Sequence, residues 1–400
     1  MTRTLGLLFA LLIAGAFVAR AQNLVEDEGG PTTAPVKLAA PDADVLIAAT
    51  PDFAAAPPAR ANEARRVTAR LDRHVAALLE QHPLRPFQNT LGISGHEVYF
   101  DHPDALFLSL SIALPQFPEP TRAKVRALLA DVLTKYPPYA TDGFDRAAGR
   151  PRESYDVPED LRRKGRGQAS SILGVYAFWA YAHWANDPAA AKSHWPAVKV
   201  RTSALLARPY PFDPAKKDAP GDAAQSLNGD LAGLIALARL ARTNADPAIE
   251  RQAASRALQL LELRINLERT NPRLLAPTKS TSKGLHNAKL GRYCDLVPEV
   301  AAALARHTAG LASARVKSFR ESHPAWHLAF TERLIGGENY VSPPHLSRAL
   351  FAGAATIEDL DPATLFTLLD VPWVKGDLYF IEKSALALWA DAGRPWVRVP

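Results

Sequence analysis

Residues 170–184 read Ser-Ser-Ile-Leu-Gly-Val-Tyr-Ala-Phe-Trp-Ala-Tyr-Ala-His-Trp, with no Asp, Glu, Lys or Arg among them. The run is too long for an ordinary strand and contains no proline, so it predicts a helix. Ile172, Leu173, Val175, Tyr176, Phe178, Trp179 and Tyr181 then fall on every side of that helix, which leaves it no wet face and demands burial all round. Residues 224–241 repeat the pattern through Leu227, Leu231, Leu234, Ile235, Leu237 and Leu240. Each of these runs is followed by an amphipathic one, over 195–206 and 247–268. Helices buried on both sides belong to an inner layer, and helices with one wet face belong to an outer layer.

The rest of the chain extends this pattern. Apolar spacing predicts helices over 61–80, 105–114, 121–135, 296–307, 326–334, 344–355, 362–369 and 377–389, several of them stopped by Pro83, Pro115 and the Pro137–Pro138 pair. Alternating strand patterns and tight hairpin dipeptides are few, so the predicted fold class is all-α. The paired inner and outer helices between Ala61 and Trp389 resemble the α/α-toroid, or six-hairpin, architecture of secreted glycoside hydrolases and polysaccharide lyases. That resemblance is architectural. It implies a full or incomplete ring of helical hairpins acting on a glycan. An open helical solenoid predicts the same alternation, and no fixed repeat period separates the two.

Residues 1–21 have Arg3 near the start, an apolar run from Leu5 to Val18, and Ala-Arg-Ala before Gln22. This is the layout of a secretory signal peptide, so the chain is expected to be exported to a periplasm or the extracellular space, with no stable membrane insertion after cleavage. Residues 22–60 are rich in Ala, Pro, Asp and Thr and are expected to form a mostly disordered linker, with 45–48 as a short strand or a packed tail. Residues 61–400 then form the helical domain. Formal charge is +6 for the whole chain and +4 without Arg3 and Arg20, a modest basic bias that suits an anionic ligand. Export and the lack of a binding motif argue against nucleic acid as a partner. Cys294 is the only cysteine, which rules out an intramolecular disulfide and leaves stability to burial.

Reaction-capable side chains are densest over 285–299, Leu-His-Asn-Ala-Lys-Leu-Gly-Arg-Tyr-Cys-Asp-Leu-Val-Pro-Glu. β-Elimination of a uronic acid needs a base for the proton α to the carboxylate and cationic or amide donors for the acid group. His286 and Tyr293 suit proton transfer, and Asn287 and Arg292 suit carboxylate binding. Arg166, in Lys-Gly-Arg-Gly-Gln just before the 170–184 helix, is a candidate anion subsite. A hydrolase would instead take a carboxyl pair from Asp230, Asp295 and Asp377, with Glu299 and Glu338 in reserve. Asn228 stands two positions before Asp230, and Trp373 precedes Asp377 at a helix entrance where it can stack on sugar.

Each of these residues also has a structural explanation. Asp230 can serve the positive end of its helix, and Asp295 can cap one. The echo among Asp156-Val-Pro-Glu159, Asp295-Leu-Val-Pro-Glu299 and Asp370-Val-Pro-Trp373 is explained by shared helix-start grammar. His323 and His327 share helical spacing but lack the Glu of a zinc-protease motif, and Cys294 is more simply a small core residue. No motif calls for a cofactor or a metal. The expected partner is a polysaccharide or oligosaccharide, with a non-catalytic helical scaffold as the alternative to an enzyme.

Overall fold

The computed structural model describes residues 34–39, 47, 58–80, 103–135, 137–140, 144–145, 150–151, 170–207, 219–270, 297, 299–300, 303–304, 307, 363, 366, 369–370, 376 and 378–392. Among these residues the fold is all-α. Its helices are α1 (Ala61–Glu80), α2 (Pro103–Ala113), α3 (Glu119–Lys135), α4 (Ser170–Trp184), α5 (Pro188–Ala207), α6 (Ala219–Thr243), α7 (Pro247–Thr270) and α8 (Leu378–Asp391). The exceptions are a 3-10 turn, Leu114–Gln116, and an antiparallel contact between Phe144–Asp145 and Arg150–Pro151. Residues 299, 300, 303, 304, 307, 363, 366 and 369 are helical, as the 296–307 and 362–369 patterns predict. The helices expected over 326–334 and 344–355 lie outside the described residues.

α4 and α5 are joined by Ala185-Asn186-Asp187, and α6 and α7 by Asn244-Ala245-Asp246. The two turns are built alike. Asn186 and Ala245 both take φ 54°, the left-handed conformation that ends a helix. Asp187 N–H donates to Ala182 O (2.8 Å) and Asp246 N–H to Ala241 O (2.9 Å), closing the same six-residue loop. Each aspartate then caps the next helix, accepting from Ala190 N–H at 2.9 Å and from Ile249 N–H at 3.3 Å. Pro188 and Pro247 occupy first helical positions, where no N–H is needed. α5 therefore begins seven residues before the Trp195 start that its apolar pattern suggests. Pro196 sits inside it on an exposed position, where water can satisfy the carbonyl left without its partner.

α4 packs between α2 and α6, while α8 packs on both α2 and α1. The inner row is thus α8, α2, α4, α6. On its outer side α1 backs α8, α5 spans α4 and α6, and α7 backs α6. α4 and α6 finish side by side, since Asn244 Nδ2 donates to Ala191 O at 3.3 Å. α8 finishes there too: Trp389 meets Trp184 at 5.4 Å. α1 runs against α8. Asp391 at the end of α8 accepts from Arg60 N–H at 2.9 Å, while His74 near the end of α1 stacks on Phe380 at 4.1 Å.

Close approach explains one glycine. A Cβ on Gly174 would lie 2.0 Å from Pro138 O, so only glycine lets α4 pass the chain leaving α3.

Within the stretch expected as a linker, residues 34–39 lie along α7. Val36 exchanges two hydrogen bonds with the Asn266 side chain, its N–H donating at 2.6 Å and its carbonyl accepting at 2.8 Å. Leu38 N–H donates to Glu262 (2.9 Å), and Arg269 Nε donates to Ala34 O (3.0 Å). Three side chains of α7 thus satisfy an extended backbone, as a neighbouring strand would. Ile47, expected in a strand or a packed tail, is helical and buried.

Candidate functional site

α4, α6 and α8 share one direction. α3 ends beside the start of α4, as the Gly174–Pro138 approach requires, and α7 returns toward the start of α6, where Arg264 Nε donates to Asn228 Oδ1 at 3.0 Å. The end of α3, the starts of α4 and α6 and the end of α7 thus lie on one side, opposite the tight turns, whereas after α7 Glu299 lies beside Arg239 near the tight turns and His307 comes back to Arg269 at the end of α7. By sequence Arg166 lies between α3 and α4, and His286, Asn287, Arg292, Tyr293 and Asp295 lie between α7 and Glu299. These six residues, with Trp373 and Asp377, lie outside the described residues. Gly376, between that last pair, donates its N–H to His74 Nδ1 at 3.2 Å, which fixes the entrance of α8 against α1.

Asn228 and Asp230 are described. α6 has 25 residues and α4 has 15. Because they finish together, α6 extends about 15 Å beyond the start of α4. Asn228 and Asp230 stand level with the first turn of α4, on the side opposite the tight turns. Both are buried. Asn228 uses its carbonyl oxygen on Arg264, whose Nη1 also donates to Glu268 at 3.2 Å, so it ties α6 to α7. Asp230 is too far into the helix to serve its positive end, because α6 begins at Ala219 rather than at Ala224 and the dipole effect fades within the first turn. It interacts instead with other polar groups.

A second polar cluster sits nearer the tight turns, between α4 and α6. Tyr176 O–H donates to the Glu299 carboxylate at 2.9 and 3.1 Å. Arg239 Nη1 donates to the same carboxylate at 2.6 Å, its Nε donates to Ile47 O at 3.2 Å, and its guanidinium lies 4.2 Å from the Trp179 ring centre. His183 stacks on the other side of the group, 5.3 Å from Trp179. Burial, and then the Arg239 charge, hold the His183 pKa down at about 4, so its imidazole is neutral at neutral pH. The Glu299 side chain is 0 % exposed.

Glu299 is therefore a buried acceptor engaged on both oxygens, rather than a partner for the positive end of a helix. The cluster thus pins Glu299 and Ile47 onto the inner helices. In sequence the visible sign was Arg239, the one ionised residue between Leu231 and Ala241, which an all-round apolar description of α6 passes over.

Next to it, Tyr139 Oη and His194 Nδ1 are 2.6 Å apart. Burial raises the tyrosine pKa, and burial lowers that of His194 against the opposing pull of Asp187, so the pair is neutral and joins the end of α3 to α5. Among the described residues no group of three His, Cys, Asp or Glu side chains converges as a metal site, and no helix is long and apolar enough to cross a membrane.

Among the described residues these observations define an all-α protein of packed helices. No family model, curated protein or solved structure matches the chain.

Proposed function

We propose that this is an exported α/α-toroid protein that cleaves an acidic polysaccharide by β-elimination at the end opposite the tight turns. One observation carries the reading. The approach of α3 to the start of α4 and the Arg264–Asn228 contact bring the connection bearing Arg166, and the end of α7 from which the chain leads on to His286, to the same side as Asn228 and Asp230. The return of α8 onto α1 and α2 favours a closed ring over an open solenoid, because the last helix of a solenoid does not meet its first.

In this scheme Arg292 and Asn287 hold the uronate carboxylate and lower the cost of charge building beside it. His286 or Tyr293 removes the proton α to that carboxylate. The glycosidic C–O bond at the β carbon then breaks, a double bond forms between the two carbons, and the departing oxygen takes a proton from the other residue of the pair. Arg166 binds a neighbouring uronate and Trp373 stacks on a sugar face. The scheme uses no cofactor.

Uronate polymers should give products absorbing near ~230 nm, and Tyr293→Phe or His286→Ala should slow that rise by about 10²–10⁴-fold. Absence of the absorbance with every uronate polymer tested sinks the reading.

The burial of Asp230 well inside α6 favours a second possibility, a glycoside hydrolase using Asp230 with Asp295 or Asp377. It predicts new reducing ends without the absorbance, and it needs two carboxyls about 5–10 Å apart. Glycan binding with neither product marks a non-catalytic scaffold.

A further inference from the structure

His74 and Gly376 are 302 positions apart, and one hydrogen bond between them joins α1 to the entrance of α8. That entrance lies at the end opposite the tight turns, because α8 runs in the direction of α4 and α6. The bond runs from Gly376 N–H to His74 Nδ1 at 3.2 Å. A backbone N–H can only donate, so Nδ1 is the bare nitrogen of the ring. The His74 proton then sits on Nε2, and the imidazole is neutral.

Both partners are held in place for this contact. His74 is 8 % exposed and stacks on Phe380 of α8, with ring centres 4.1 Å apart. Gly376 is buried and takes φ 78°, a conformation that suits glycine. The charged groups on the packed elements are these. On α1, Arg70 stands one turn before His74, lies 5.0 Å from the Phe380 ring centre and pairs with Asp370 at 3.3 Å, while Asp72 and Arg73 directly precede the histidine. On α8, Lys383 pairs with Glu382, and Asp391 at the far end accepts from Arg60 N–H. Asp377 follows Gly376 in sequence.

We propose that His74 is a proton-operated latch on the start of α8. A second proton on the ring must go to Nδ1, the very atom that accepts from Gly376. Two N–H groups then face each other, and a buried donor loses its acceptor. The latch is closed while His74 is neutral, and it opens as pH falls through the point at which the ring takes that proton. Trp373 and Asp377 lie within three positions of Gly376 in sequence, so the latch bears on sugar contact. That bearing rests on the β-elimination reading. The latch itself does not.

The test is nuclear magnetic resonance on the full chain without substrate, with nitrogen-labelled histidine and glycine. At about pH 8 His74 should show a bare Nδ1 and a protonated Nε2. As pH is lowered to about 5, the Gly376 amide should lose about tenfold of its protection against hydrogen exchange, with the midpoint of the Nδ1 signal. His74→Asn keeps an acceptor near the Nδ1 position but cannot take the proton, so its Gly376 protection should stay constant. The proposal is overturned if Nδ1 carries the proton at neutral or higher pH, or if His74 titrates without a change at Gly376. It is equally overturned if the variant loses protection as the unaltered protein does, or if His74 stays neutral until the far-ultraviolet signal shows the helices unfolding. The ring signals of the unaltered protein decide all but one of these outcomes without the variant. A failure to find uronate lyase activity changes none of them, because no turnover is measured.

Discussion

Arg239 and Glu299 are 60 positions apart, and Tyr176 and Glu299 are 123 apart, yet they form one buried group. Removing a single partner from a buried ion pair leaves an uncompensated charge, which costs about 3–5 kcal/mol. Arg239→Met should therefore lower stability by that amount in urea unfolding. Adding Glu299→Leu should restore much of it, since neither charge is then left alone. If the double variant is no better than the single one, the pair does not carry the effect.

His183 gives this region a pH signature. Its folded pKa of about 4 lies below the usual 6.5, so between those values the unfolded chain binds the extra proton. Stability is unaffected by this group above about pH 6.5 and is lost as pH falls toward 4, by up to about 3 kcal/mol. His183→Gln should flatten that part of a plot of urea midpoint against pH.

The two hairpin turns show how local chemistry sets an element's ends. Asn186 tolerates the left-handed conformation, whereas Ala245 has a Cβ that crowds it. Ala245→Gly should therefore stabilise the α6–α7 hairpin by about 1 kcal/mol, read as a higher urea midpoint with unchanged slope. The bounds of α1 and α4 are legible in periodicity and breakers. α5 is not, because Pro196 looks like a first-turn proline and hides the earlier start at the Asp187–Pro188 cap. For α6 the misplaced start mattered more, since it made Asp230 look like a helix-end residue when it lies buried in the interior.

α8 joins the two ends of the described helices, because its final turn brings Trp389 to Trp184 and Asp391 to Arg60. Trp184→Ala and Trp389→Ala should each cost about 3–5 kcal/mol. Because the rings share one contact, the double variant should fall short of the sum by about 1 kcal/mol. Simple additivity in urea unfolding would mean that the two helix ends do not support each other.

Helix type, the inner and outer alternation and the clustering of polar residues over 285–299 follow from the sequence by itself. They depend on side chains within a few turns of one another, where periodicity and proline act directly. Which helix meets which was decided only in three dimensions, as were the pairing of Arg239 with Glu299, the docking of residues 34–39 on α7 and the return of α8 to α1. The physical reason is that such contacts join positions with no spacing rule between them, and they form only where burial forces distant polar groups to satisfy one another.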